Sequence, residues 1–242
     1  MKKLKSKTYR YESNLFIAEG INIAREIISN KPNLVKYVFI REGTSFFIDK
    51  NLFECFLVND IVMDAICETK TPQGVALCVK MEELSLNYND LDFLVYLDNV
   101  SDPGNLGTII RTADAFGADG VILSPSCVDL YNSKTVRSTM GSMFHINIFY
   151  EKEYLKTLKE LIDADFVASV GALDASETIF DASLGEKSVI CLGNEAHGVS
   201  EELLALNVNK VIIPIAGKAE SLNVAVAGAV FMYEVMKQRN KK

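Results

Sequence analysis

The stretch FLVYLDNVSDPGNLGTIIRTADAFG, Phe93 to Gly117, decides how the chain is read. It opens with five apolar residues, Phe93 to Leu97, the pattern of a strand buried on both faces. A polar turn bearing Pro and Gly follows, Asp98 to Gly107. Then a helical repeat runs from Thr108 to Phe116, with Ile109, Ala113 and Phe116 on one stripe. Strand, turn and helix in that order are half of a parallel α/β unit, and the rhythm continues to the C-terminus. Further strand-like runs are Gly120 to Leu123, His145 to Phe149, Phe166 to Val170, Val189 to Leu192 and Val211 to Ile213. Helices fit Tyr154 to Ala164, Glu201 to Leu206 and Leu222 to Gln238. This alternation predicts an α/β fold with a mostly parallel sheet covered on both faces. Ligands in such sheets bind outside the carboxyl ends of the strands, so chemistry is expected in the loops after Leu97, Leu192 and Ile213.

Upstream the rhythm is shorter. Phe16 to Ala18, Val35 to Ile40 and Val75 to Val79 read as strands. Ile21 to Ile28 reads as a helix with Ile23, Ile27 and Ile28 on one face, Asp60 to Cys67 as a second helix, and Thr71-Pro72-Gln73-Gly74 as a turn. These make a small α/β domain over residues 1–80. Met81 to Asp92, polar through Glu82, Glu83, Asn87, Asn89 and Asp90, reads as a linker to a second domain over residues 93–242.

The 242 residues are 49% apolar and 24% charged, enough for a sizeable core and far from disordered composition. A net charge of −7 excludes a broadly basic, histone-like polyanion binder. It leaves room for a local patch. Lys2, Lys3, Lys5, Lys7 and Arg10 precede the first acidic residue, Glu12, and are either phosphate contacts or a solvated end. The five cysteines are odd in number and never form a C-x-x-C pair, so reduced thiols are expected. No signal-like or membrane-spanning apolar run occurs, and a soluble protein of the cytoplasm is expected.

In the first loop, Arg111 lies about 200° round the helix from Ile109 and points away from the core. A guanidinium one turn into a helix after a Gly-rich loop suits phosphate or ribose; a solvated surface arginine is the alternative. The second loop, Gly193-Asn194-Glu195-Ala196-His197-Gly198, has the glycine spacing of a nucleotide P-loop, but Val199 stands where the lysine belongs. Glu195, charged and between two glycines at a strand end, reads as a functional residue and not a packing one; charge compensation at a helix N-terminus is the alternative. His197 has no partner at ligand spacing, so no metal is expected. In the third loop, Ile213-Pro214 leads to Ser221-Leu222-Asn223, where Ser221 reads as a helix N-cap and Asn223 has no helical rationale. The following helix is apolar on several faces, as a helix touching a second subunit is. No G-x-G-x-x-G fingerprint follows any strand.

Together the three loops resemble the motifs of the SpoU family of RNA ribose 2′-O-methyltransferases, within the SPOUT superfamily. The resemblance runs from Phe93 to Gln238 and rests on Asn105 with Arg111, on Gly193 to Gly198, and on Ile213-Pro214 with Ser221-Leu222-Asn223. It implies a deep trefoil knot, a homodimer, and S-adenosylmethionine as methyl donor. Its catalytic positions fall on Arg111, Asn105, Glu195, Ser221 and Asn223. Its adenosylmethionine contacts fall on Leu192, Gly193, Ile213, Pro214, Leu222 and Asn223. The first domain, with Phe16 to Gly20 and Thr71 to Val75, is similar to the family's ribosomal-protein-like RNA-binding module. Lys5, Lys7, Arg10 and Arg111 are therefore the candidate RNA contacts. Ribosomal RNA is the first substrate implied and transfer RNA the second; a noncatalytic RNA-binding protein of the same fold is the other alternative.

Overall fold

A computed structural model describes residues 1–88 and 90–240. In chain order the elements are α1 (Lys7–Ser13), β1 (Leu15–Glu19), α2 (Ile21–Asn30), β2 (Val35–Arg41), β3 (Cys55–Val58), α3 (Asp60–Ile66) and β4 (Val75–Lys80). They continue with β5 (Phe93–Leu97), α4 (Pro103–Ala115), β6 (Gly120–Leu123), α5 (Ser133–Ser138), β7 (Asn147–Tyr150), α6 (Lys156–Asp163) and β8 (Val167–Gly171). The last are β9 (Glu177–Thr178), β10 (Ser188–Leu192), α7 (Glu201–Leu204), β11 (Asn209–Ile212) and α8 (Val224–Arg239). The chain divides into two compact units, Met1–Glu82 with Asp129–His145, and Glu83–Val128 with the chain from Ile146 onward.

The first unit is a four-stranded sheet in the order β1-β4-β2-β3, with β4 antiparallel to both neighbours and β3 parallel to β2. Helix α2 buries Ile23, Ala24 and Ile27, while Ile28 is only half-buried. Met63 and Ile66 of α3 close over Phe39, Ala76 and Cys78. Residues 129–145 belong to this unit, although the sequence reading placed all of 93–242 in one domain. Long-range contacts decide the matter. The Tyr131 ring lies 4.7 Å from that of Phe16, and Phe144 stacks on Phe16 at 6.5 Å. Two ion pairs add to this, Arg10 with Asp129 at 2.5 Å and Arg137 with Glu19.

Arg10 is thereby corrected as an RNA contact. Its guanidinium is buried at 5% exposure, bonded to Asp129 and to the carbonyls of Leu4 and Lys5. A buried, paired guanidinium presents no charge to a phosphate. The chain start is ordered rather than loose, with a 3-10 turn at Lys2–Lys5 running into α1.

The second unit is a seven-stranded sheet in the order β7-β6-β5-β10-β8-β11-β9, and every neighbouring pair is parallel. Strands β5 and β10 are buried along their whole length, which is why they read as unbroken apolar runs. The stretch expected as a linker packs instead. Leu84, Leu86, Tyr88 and Leu91 lie against a core containing Leu94, Tyr96, Phe149, Leu158 and Leu161. Asn89, read with that linker, lies outside the described residues. Strand order reverses between β5 and β10, with Leu97 paired to Leu192 at their carboxyl ends. The crevice rule for such reversals places a ligand there. Among the described residues, no helix is long and apolar enough to cross a membrane.

Candidate active site

Helix α4 begins five residues before the sequence pattern suggested. Asp102 caps it, its Oδ1 accepting the amides of Gly104 at 2.7 Å and Asn105 at 2.9 Å, and Pro103 occupies the first turn. Asn105 therefore sits in that first turn, at the mouth of the β5–β10 crevice. Two turns along, Arg111 is exposed and makes no hydrogen bond or ion pair among the described residues. Between Glu83 and Val128 it is the sole basic residue against seven acidic ones.

The second loop leaves β10 and folds on itself. Asn194 and Gly198 exchange backbone hydrogen bonds at 2.7 and 2.9 Å. This return has room only because residue 193 is glycine: a Cβ there would stand 2.1 Å from the Gly198 carbonyl carbon. Gly198, at φ +71, takes the left-handed conformation the return requires. The Asn194 side chain accepts the amides of Ala196 and His197 and donates to the Asn99 carbonyl at 3.0 Å.

So held, Glu195 reaches the first loop. Its carboxylate accepts the Ser101 hydroxyl at 2.8 Å, the amides of Ser101 and Asp102 at 3.1 and 3.0 Å, and the Asn105 side-chain amide at 2.9 Å. Partial burial disfavours the charge, but these donors outweigh it and bring the Glu195 pKa down to about 2.

The third loop closes the arrangement. Asn223 donates its side-chain amide to Asn105 Oδ1 at 3.1 Å, and its own Oδ1 accepts the amides of Ala225 and Val226. Asn223 is therefore the N-cap of α8, not Ser221 as the sequence suggested. An Asn is a good cap and a poor interior residue, so the helix starts two residues later. Ser221 and Leu222 are exposed before it, Pro214 is exposed, Ile213 is half-buried, and Leu192 is buried at the end of β10. Among the described residues, the backbone of 213–222 makes no backbone hydrogen bond.

Three residues the sequence reading passed over fix the frame. Asp98, fully buried at the end of β5, accepts the Ser200 amide and the Tyr154 hydroxyl, each at 2.7 Å. Ser200 caps α7, so this carboxylate ties the exit of the second loop to β5. Burial, with Asp98 beside it, pushes the Tyr154 phenol up to about 12. An acidic residue ending an apolar strand was the available signal for Asp98; Tyr154 and Ser200 gave none.

The remaining candidate RNA contacts lie in the first unit. Lys5 Nζ bonds the Cys67 carbonyl at 2.7 Å, and the Lys7 ammonium sits 5.8 Å from the centre of the Tyr11 ring. Both residues are exposed, as are Lys2 and Lys3.

Two family models match the chain one after the other, and residues 129–145 fall within the second match. Residues 92–233 match the family model described as the SpoU rRNA Methylase family, and residues 1–77 match the MRM3-like substrate binding domain. The 23S rRNA (guanosine(2553)-2′-O)-methyltransferase RlmP of Bacillus subtilis is 36% identical over 97% of this chain and 93% of its own length. The SpoU methyltransferase AviRb from Streptomyces viridochromogenes, solved with AdoMet, has a TM-score of 0.86 at 26% identity, covering 99% of this chain and 96% of that one. An AdoMet-bound rRNA methyltransferase from Sinorhizobium meliloti has a TM-score of 0.83 at 28% identity, covering 98% and 92%.

Proposed function

The chain belongs to the SpoU rRNA methylase family, and from that premise we propose that it transfers a methyl group from S-adenosylmethionine to a ribose 2′-hydroxyl of 23S ribosomal RNA. One observation carries the reading: Glu195, Asn105 and Asn223, from the three segments that follow β10, β5 and β11, form one hydrogen-bonded chain at the start of the helix that carries the exposed Arg111. Incubation of 23S rRNA with the protein and labelled S-adenosylmethionine, then nucleoside digestion and mass analysis, tests it. A 2′-O-methylnucleoside is expected; a base-methylated product or none refutes it.

The methyl donor supplies an electrophilic methyl group, and the residues fit such a ligand. Ile213 and Leu222 offer apolar surface, and the segment from Pro214 to Leu222 is exposed except at the half-buried Ile215, with its backbone polar groups outside any ladder. Leu192, Gly193, Ile213, Pro214, Leu222 and Asn223 are the residues proposed to hold it. Arg111 is proposed to clamp the reacting ribose and its phosphate, stabilising negative charge as the 2′-oxygen reacts. Glu195, with a pKa of about 2, is too weak a base to take a hydroxyl proton near neutral pH. Its role in this reading is to orient Asn105. Ser221, exposed beside Leu222, is proposed to contact substrate, and Asn223 to hold α8 against that arrangement.

The finer architecture belongs to the same proposal. The segment 213–222 carries the chain from β11 back across the positions of β8 and β10 to Asn105, the course a trefoil knot of the SpoU type would take. A homodimer through α8 accounts for Val226 and Tyr233, each 51% exposed, on one stripe with the half-buried Val230. The first unit is proposed to bind the RNA through Lys5, Lys7 and neighbouring lysines, and the protein to work in the cytoplasm.

A further inference from the structure

We propose that Ser101 is a positioning residue for methyl transfer, acting through Glu195 on Asn105. Ser101 lies in the first loop, outside any helix or strand, and is exposed. Its hydroxyl donates to Glu195 Oε2 at 2.8 Å and stands 3.4 Å from the Asn194 side-chain amide. With Asn194 donating to its oxygen, the hydroxyl proton is aimed at Glu195. Asn194 is itself fixed by the carbonyl of Asn99, so the first loop holds the second at both ends of this contact. The opposite carboxylate oxygen receives Asn105 at 2.9 Å. Oε2 of Glu195 is thus held by the Ser101 hydroxyl and, at 3.1 Å, by the Ser101 amide, while Oε1 holds the Asp102 amide and Asn105; loss of the hydroxyl leaves Oε2 on the longer of its two bonds and loosens the aim of Oε1 at Asn105. Ser101 is exposed and no part of the core, so its role is orientation of the site.

The inference rests on the proposed function and is tested apart from it. Ser101→Ala keeps the backbone amide bond to Glu195 and removes only the hydroxyl. We expect kcat to fall ~5-fold with the KM for S-adenosylmethionine unchanged, and Ser101→Thr to restore most of it. In a Glu195→Ala background, Ser101→Ala is expected to cost nothing further, because its path of action is gone. The side-chain amide resonances of Asn105, followed by NMR in the full chain without RNA, are expected to shift in Ser101→Ala and return in Ser101→Thr. Full kcat in Ser101→Ala, an undiminished second loss in the Glu195→Ala background, or unmoved Asn105 resonances would each overturn the inference. A wild-type protein that methylates no ribose defeats the proposed function instead, and the Asn105 spectrum still decides the role of Ser101.

Discussion

The two units use charge in opposite ways. The first holds fourteen Lys and Arg against eleven Asp and Glu, the second eleven against twenty-one. In the first, the buried Arg10, Asp129 and Glu19 serve as ties along the chain: Arg10 to Asp129 and the half-buried Arg137 to Glu19 bind an excursion of the chain more than a hundred residues away. In the second, the buried or fixed carboxylates Asp98 and Glu195 stand at strand ends and accept hydrogen bonds from the loops they hold. Net positive charge is thus kept for the unit proposed to meet RNA, while Arg111, proposed to meet the reacting ribose, is the sole basic residue between Glu83 and Val128. Arg111 in that setting is a local charge and not part of a general phosphate-binding surface.

Removing a tie in the first unit has the largest expected effect. Arg10→Ala strands the Asp129 carboxylate in a buried position, and we expect a stability loss of about 3 kcal/mol or more, read as a lower denaturation midpoint. Reduced RNA affinity with unchanged stability would reinstate Arg10 as an RNA contact. Deleting residues 1–80 is a poorer experiment, since it uncovers Tyr131 and Phe144 at the same time.

In the second unit, Arg111→Ala is expected to lower single-turnover methylation by ~10²-fold, with folding and calorimetric affinity for S-adenosylmethionine intact. Wild-type turnover in this variant would take Arg111 out of the reaction. Val226→Glu on the exposed stripe of α8 is expected to weaken dimerisation about tenfold or more, with monomer appearing in sedimentation at micromolar concentration and activity lost alongside. A wild-type protein that is already monomeric removes the dimer proposal. Replacing Lys2, Lys3 and Lys7 together by Ala is expected to weaken RNA binding several-fold and flatten the dependence of log K on log salt by about 2, leaving cofactor affinity alone. An unchanged salt slope would show that these lysines form only a solvated surface.

The smallest effect concerns acid. The folded-state pKa of Glu195, about 2, lies below its unfolded value, so its contribution is present above the usual carboxylate range and is lost as pH falls toward 2. The stability gap between the wild type and Glu195→Gln is therefore expected to be widest near neutrality and to close on acidification, as followed by thermal denaturation across that range. A gap independent of pH would mean that the four donors around Glu195 do not favour its charged form.

The strands and the loops that end them are legible in short windows of residues. Five-residue apolar runs such as Phe93–Leu97 can only be buried on both faces, and glycines flanking Glu195 mark a loop that must turn tightly. These are local properties, carried by adjacent side chains and backbone conformations. The folded chain settles what no window of residues contains. It gave Asn223 the cap that Ser221 seemed to own, because Asn223 alone also reaches Asn105, 118 positions earlier. It turned Arg10 from a surface cation into a buried tie, because its partner stands 119 positions away. It packed the polar-looking stretch after Met81 by its interspersed leucines, and it made Ser101 and Asp98 part of the site through partners over ninety residues distant. A hydrogen bond or ion pair forms between groups brought within about 3 Å, and for residues so far apart along the chain only the folded sheet sets that distance.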